Sequence, residues 1–251
     1  MAKRPLILIS NDDGVQAQGI QYLTSLMQQL GDVVVVAPDG PRSGAACGIT
    51  STQPVSLRLV RRESGLTVYE CSGTPVDCVK IAFEKVLDRE PDLVVSGINH
   101  GGNISVSIHY SGTVGVILDA CTKQVPAIAF SHESWSPQID FTPCSDVILG
   151  CARHVLEQGL PDEVCLNVNF PDVAELKGVK VCRLARGTWK QEWKDTGEEG
   201  VYRLSGYFIC LEPEATDTDC YALSQGCAAV TPLQLDTTGH SAIESLKKLE
   251  Q

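Results

Sequence analysis

No apolar run in the sequence approaches the roughly 18 residues that a membrane-spanning helix needs. The N-terminal stretch Met1-Ala2-Lys3-Arg4-Pro5 leads into only five apolar or small residues before Asn11-Asp12-Asp13. That is too short for the core of an export signal, so a cytoplasmic protein is expected. Basic residues are scarce: 20 Lys and Arg stand against 31 Asp and Glu, for a net charge of −11. Such a body repels duplex nucleic acid at long range, and any phosphorylated small molecule would need a local positive source. Eleven cysteines are present, yet no C-x-x-C pair occurs. Their scatter through apolar surroundings, as in Asp77-Cys78-Val79, reads as buried thiols in a reducing compartment rather than disulfides or a zinc site. No G-x-G-x-x-G follows the first strand, which argues against a nicotinamide dehydrogenase. Tandem repeats and low-complexity linkers are also missing.

What is present is ordinary globular composition, with 251 residues, 43% hydrophobic and 20% charged. The first two-thirds alternates short apolar runs with helical spacing. Leu6-Ile7-Leu8-Ile9 predicts a strand buried on both faces; Ile20, Leu23, Met27 and Leu30 predict a helix ended by Gly31. Val33–Ala37 predicts a second buried strand, and 49–71 less buried, partly alternating strands. Thr74-Pro75-Val76-Asp77 is a helix start with a cap, a first-turn proline and an acid at the capping-box position. Val79, Phe83 and Val86 continue that helix. Further strands are expected at Leu93–Val95, Ala127–Phe130 and Val164–Asn169, with helices at Val114–Cys121 and 145–158. Apolar strands alternating with helices imply a Rossmann-like α/β fold, a mainly parallel sheet covered on both faces. Right-handed crossovers then gather the strand-to-helix loops at one carboxyl edge. Residues 1–178 read as this catalytic core. Residues 179–251 read as a β-rich extension: an oligomerisation arm around the basic and aromatic group Arg183–Trp193, a return to the core, and a terminal amphipathic segment with Ile243, Leu246 and Leu249. Asp217 and Asp219 read as a solvated turn.

The polar residues of the carboxyl edge carry the chemistry. Ser10-Asn11-Asp12-Asp13-Gly14 puts two adjacent carboxylates at the end of a buried strand, where they repel and are costly to desolvate without a cation. Oxygen ligands of this kind suit Mg²⁺, Mn²⁺ or Ca²⁺, although Asn11-Asp12-Asp13-Gly14 is also good turn chemistry. Ser43, in Arg42-Ser43-Gly44, and Asn99, in Ser96-Gly97-Ile98-Asn99-His100, would add neutral oxygens. Tyr110-Ser111-Gly112-Thr113-Val114 opens a helix with small residues, hydroxyls and free N–H groups, which favours an anion. A cation beside an anion cradle is the layout of a phosphate-ester hydrolase.

These stretches, with Val36-Ala37-Pro38-Asp39, Gly73-Thr74-Pro75, Pro91–Asn99, Leu166-Asn167-Val168-Asn169 and Val230-Thr231-Pro232-Leu233, resemble the SurE family of survival-protein 5′/3′-nucleotidases in order and spacing. The resemblance implies a 5′-nucleotidase, a divalent-metal-dependent phosphatase hydrolysing nucleoside 5′-monophosphates and also 3′-monophosphates. It implies one Mg²⁺ or Mn²⁺ per subunit on Asp12, Asp13, Ser43 and Asn99, with the substrate phosphate on Ser111, Gly112 and Thr113 and with Asn103 nearby. It also implies a homodimer or homotetramer assembled through the C-terminal extension. The sequence departs from the family pattern at Ile104-Ser105-Val106-Ser107, where a Gly and an Asp are common, and at Gly102, where Pro is common.

Asp12 is the candidate for orienting the attacking water or taking its proton. A covalent phosphoaspartate is the alternative chemistry, but enzymes of that kind space their acids as D-x-D. A non-catalytic nucleotide- or metal-binding oligomer is the alternative outside catalysis. His100 and His109 flank the active loops as loop hydrogen bonders or proton donors, and His154 is expected on a helix surface.

Overall fold

The computed structural model describes residues 4–250. Its first part alternates β1 (Leu6–Ser10), α1 (Gln18–Met27), β2 (Asp32–Pro38), β3 (Leu57–Glu63), β4 (Leu66–Cys71), α2 (Pro75–Ile81), β5 (Leu93–His100), α3 (Gly112–Thr122), β6 (Ala127–His132), α4 (Ser145–Gln158) and β7 (Val164–Phe170). There follow β8 (Val179–Val181), β9 (Gly187–Lys190), β10 (Trp193–Asp195), β11 (Tyr202–Leu204), β12 (Tyr207–Cys210), α5 (Asp219–Ser224), β13 (Ala228–Gln234) and α6 (Ile243–Leu246).

Nine strands form one sheet in the order β3-β4-β2-β1-β5-β6-β7-β13-β8. Pairing is parallel from β4 through β7; β3 and β13 run antiparallel to their partners β4 and β7. Successive side chains of β1 serve opposite faces. Ile7 and Ile9 pack with Ile20, Leu23 and Met27 of α1 and Ile148 and Val155 of α4, while Leu8 packs with Val79 of α2 and Val116 and Ile117 of α3. This period-2 division explains why the strand is apolar throughout: both faces are covered by helices. The chain winds outward from β1 in both directions, so β1 and β5 are adjacent strands whose connections leave on opposite sides. Their carboxyl ends form the crevice where open α/β sheets bind ligands.

Local signals translate directly where they are strong. The Thr74 hydroxyl accepts the Asp77 N–H at 3.1 Å, and the Asp77 carboxyl accepts the Thr74 N–H at 2.9 Å, completing the expected capping box. Helix α4 occupies 145–158 as its spacing predicts, with His154 exposed.

Several expectations need correction. Helix α1 ends at Met27, ahead of Gly31, and the chain reaches β2 through a turn. After Ile81 the second helix continues as a π turn over Ala82–Val86. Residues 49–56 form no strand, and the pairing begins at Leu57. The run Ser96–His100, read as a loop, is the end of β5. Asn99 pairs with Ser131 and His100 with His132 after a register shift. Cross-strand pairing with buried β6 overrides the polar, glycine-containing local sequence.

The eleven cysteines are all free, most of them buried. Among the extension's strands, β8 and β13 join the central sheet, whereas β9 pairs with β12 and β10 with β11 in two small antiparallel ribbons. The ribbons leave Trp193 65% exposed, and in the terminal segment Leu249 is 77% exposed.

Candidate active site

Strand β1 delivers its polar terminus into the crevice. Asn11 closes the turn: its amide nitrogen donates to the Gly14 carbonyl at 3.0 Å and its amide oxygen accepts the Gly14 N–H at 3.2 Å. Gly14 has φ +100°, and a Cβ there would stand 3.1 Å from the Gly40 backbone, so glycine is needed on both counts. This turn aims the next two carboxyls inward. Asp12 is 5% exposed and Asp13 half-buried.

The side chain that hydrogen-bonds Asp12 is neutral. Asp12 Oδ1 accepts the Thr113 hydroxyl at 2.5 Å. Burial pushes its carboxyl up to about 6; the Thr113 bond opposes that shift and the neighbouring Asp13 adds to it. Burial also raises Asp13, opposed by the His100 backbone N–H, which donates to Asp13 Oδ2 at 3.2 Å. Two neighbouring acids, one buried and one half-buried, without a strong counter-charge are an electrostatic cost that a cation would relieve.

The other two candidate ligands approach through backbone contacts. The Arg42 N–H donates to the Asp12 carbonyl at 2.7 Å, which lays the Ser43 loop beside Asp12. Ser43 is exposed and its hydroxyl has no hydrogen-bond partner among the described residues. Asn99 commits its amide nitrogen to the Gly101 carbonyl at 2.6 Å, leaving the amide oxygen as the atom available to a cation. Among the described residues, no three His, Cys, Asp or Glu side chains converge to hold a metal. A cation here would have to be met by two carboxylates and neutral oxygens. That all-oxygen set fits Mg²⁺ or Mn²⁺, which retain water in their coordination shell.

Helix α3 supplies the opposite wall. The Ser111 hydroxyl accepts the Val114 N–H at 3.0 Å as an N-cap, so its own proton is free to donate. Gly112 passes so close to Asp12 that a Cβ would lie 2.8 Å from the Asp12 Cβ. The buried Thr113 spends its hydroxyl proton on Asp12, so toward an anion it offers its backbone N–H. The cradle and the acid are therefore one hydrogen-bonded unit.

Asn103 lies at the same edge, held on every side by groups the sequence reading did not single out as site residues. Its N–H donates to Asn169 Oδ1 at 2.7 Å and its amide nitrogen to Ser131 Oγ at 2.8 Å; its carbonyl accepts the Asn167 amide at 2.7 Å. The amide oxygen and the second amide proton of Asn103 have no hydrogen-bond partner among the described residues. Two asparagines at alternate positions of a buried strand were the available signal, because buried amides persist only where they are hydrogen-bonded. His100 packs its ring 5.8 Å from Phe141 and buries an Nε2 that has no partner among the described residues. His109 is exposed and borders a groove of about 1090 Å³ behind α3. Asp219, expected in a solvated turn, is instead fully buried. Thr218 caps α5 ahead of it by accepting the Tyr221 N–H at 3.2 Å. A capping threonine followed by an acid and then by apolar Ala222 and Leu223 was the overlooked sign.

Comparison with known proteins agrees with this architecture. The family model described as "Survival protein SurE" matches residues 7–191. A curated relative from Bacteroides fragilis, named 5′-nucleotidase SurE, is 47% identical over 251 residues, covering 99% of this chain and 98% of its own. A second from Bacteroides thetaiotaomicron, of the same name, is 49% identical over 248 residues, covering 98% and 96%. The crystal structure of the SurE protein from Aquifex aeolicus superposes with a TM-score of 0.85 at 35% identity, covering 98% of this chain and 100% of that one.

Proposed function

The chain belongs to the SurE family, and from that premise we propose that it hydrolyses nucleoside 5′-monophosphates, and 3′-monophosphates as a second class, with a divalent metal. The observation that carries the reading is the 2.5 Å bond between Thr113 and Asp12, which joins an anion-binding helix start to a buried acid pair at the β1/β5 crevice. Asp12, Asp13, Ser43 and Asn99 would hold one Mg²⁺ or Mn²⁺, which supplies charge neutralisation and acidifies a water when bound.

The protein's own groups do the rest. The phosphate would seat against the Ser111 hydroxyl and the first N–H groups of α3, which are directed at the equatorial oxygens where charge develops. Asp12 would orient the attacking water and accept its proton, its carboxyl fixed in place by Thr113. Asn103, immobilised by Ser131, Asn167 and Asn169, would donate from its amide or accept from a ribose hydroxyl at the rim. A cytoplasmic homodimer or homotetramer fits the rest of the molecule. The apolar residues left open on the ribbons and terminal segment are what assembly would cover, and no helix among the described residues is long and apolar enough to cross a membrane.

The test is phosphate release from a panel of nucleoside 5′- and 3′-monophosphates with Mg²⁺, Mn²⁺ or excess EDTA. Metal-dependent release of phosphate and nucleoside is expected. Stoichiometric nucleotide binding without release under every condition would replace an enzyme with a binding protein.

A further inference from the structure

The segment that leads into α3 is held from the far end of the chain. Residues Ser105–Tyr110 form a 3₁₀ turn that ends at the Ser111 cap. Its first residue, Ser105, is buried with φ +49°, a left-handed conformation that L residues adopt at a cost and that needs support from outside the turn. Asp219 gives that support. Its Oδ2 accepts the Ser105 N–H at 2.8 Å, and its Oδ1 accepts the N–H groups of Ala185 and Cys220, each at 2.8 Å. Ser105 Oγ closes the ring by donating to the Ala185 carbonyl at 2.7 Å. At Gly187 a Cβ would stand 2.7 Å from Ser105 Oγ, so the first strand of the ribbons presses directly on the turn. At its other end the Tyr110 carbonyl accepts the Ala46 N–H at 3.2 Å, continuing the contact into the loop that carries Ser43.

One buried carboxyl thus joins three segments remote in sequence, at 105, 185 and 219. A carboxyl has two acceptor oxygens and no donor, which matches three converging N–H groups; an amide does not. In either orientation an asparagine at 219 would set its NH₂ against a backbone N–H. We propose that Asp219 is a positioning residue for phosphoryl transfer, holding the 105–110 turn and through it the Ser111–Thr113 cradle in register with Asp12. This rests on reading 111–113 as the phosphate cradle. The extension is then part of the reaction centre's scaffold, and its loss would be felt at the phosphate rather than at the metal.

The experiment compares full-length wild type, Asp219→Asn and Ser105→Ala. The readouts are amide hydrogen exchange, Mn²⁺ affinity, inhibition by inorganic phosphate, and steady-state kinetics. In Asp219→Asn, exchange across 104–113 should quicken about tenfold, the inhibition constant for phosphate should rise about tenfold and kcat should fall about tenfold. Mn²⁺ affinity should change less than threefold. Ser105→Ala, which loses only the Oγ link, should move the same readouts about threefold. A lowered Tm with unchanged kcat and phosphate inhibition, measured well below that Tm, would overturn the proposal, since Asp219 would then only stabilise the fold. Should Asp219→Asn fail to fold, Ser105→Ala decides, and wild-type exchange and phosphate inhibition in it would overturn the proposal. If the wild type neither releases nor binds phosphate, the nucleotidase reading fails separately. The exchange rates then still decide whether Asp219 holds the turn: faster exchange supports the tether, and unchanged exchange refutes it.

Discussion

At the amino ends of the strands, Arg4 lies 3.4 Å from Asp32 and Arg89 lies 2.8 Å from Asp92, each acid matched to a cation near the surface. At the carboxyl ends, Asp12 is buried against a threonine hydroxyl and Asp13 against a backbone N–H. Both edges join the same strands to the same helices, so the fold does not demand the difference. One edge pairs its acids with cations. The other keeps acids where their charge is poorly compensated, as binding and catalytic sites commonly do.

The sharpest way to break this contrast is to remove an acid from the carboxyl edge. Asp13→Ala should lower metal-dependent phosphate release by about 10³-fold, the scale of losing a group that stabilises transition-state charge. Steady-state release at saturating metal checks it, and near-normal turnover would dissolve the contrast between the edges.

Next comes pH. Asp12 is raised from 3.8 to about 6 in the folded protein, so between those values the native state binds more protons than the unfolded one. The Asp12 contribution to the stability of the metal-free protein should therefore fall as pH rises from about 4 to 6.5, with the full cost present above the folded value. A shift of about two units corresponds to at most about 3 kcal/mol. Asp12→Asn, which keeps an acceptor for Thr113, should recover most of it above pH 6.5 while abolishing activity. Urea unfolding in EDTA across that range is the measurement. Wild type and Asp12→Asn whose stabilities run parallel across that window would contradict the assignment.

Thr113→Val removes the hydroxyl that fixes Asp12 while keeping the side chain's size. The cost of an unmade buried hydrogen bond, about 1–3 kcal/mol, should appear as a 10- to 100-fold fall in kcat/KM with the sheet intact by circular dichroism. The smallest effect belongs to the amino edge. Arg89→Ala should change stability by less than about 1 kcal/mol, as exposed ion pairs do, and leave kcat/KM unaltered. A large kinetic effect there would mean the two edges are coupled.

The residues that could be read from sequence are those whose partners are close in the chain. Leu6–Ile9, the capping box at Thr74 and Asp77, and the 145–158 helix all rest on local periodicity or local hydrogen bonds. The adjacency of Asp12 and Asp13 carried its own electrostatic argument. Reading failed where distant partners decide. The end of β5 looked like a loop until β6 supplied its pairing, and Asp219 looked solvated because its partners lie at 105 and 185. The amides of Asn167 and Asn169 served as family markers, but nothing local shows that they clasp Asn103.

Strand β13 sets Ala229 opposite Asn169 and Thr231 opposite Asn167. The strand that clasps Asn103 is therefore flanked by residues that lie about sixty positions further along the chain. A nascent chain that stops near residue 170 already carries every candidate ligand, yet β7 is then an open edge, free to pair with whatever strand it meets. Synthesis is sequential, but at this margin of the sheet assembly waits for β13. Premature termination would thus yield a sticky fragment rather than a smaller enzyme.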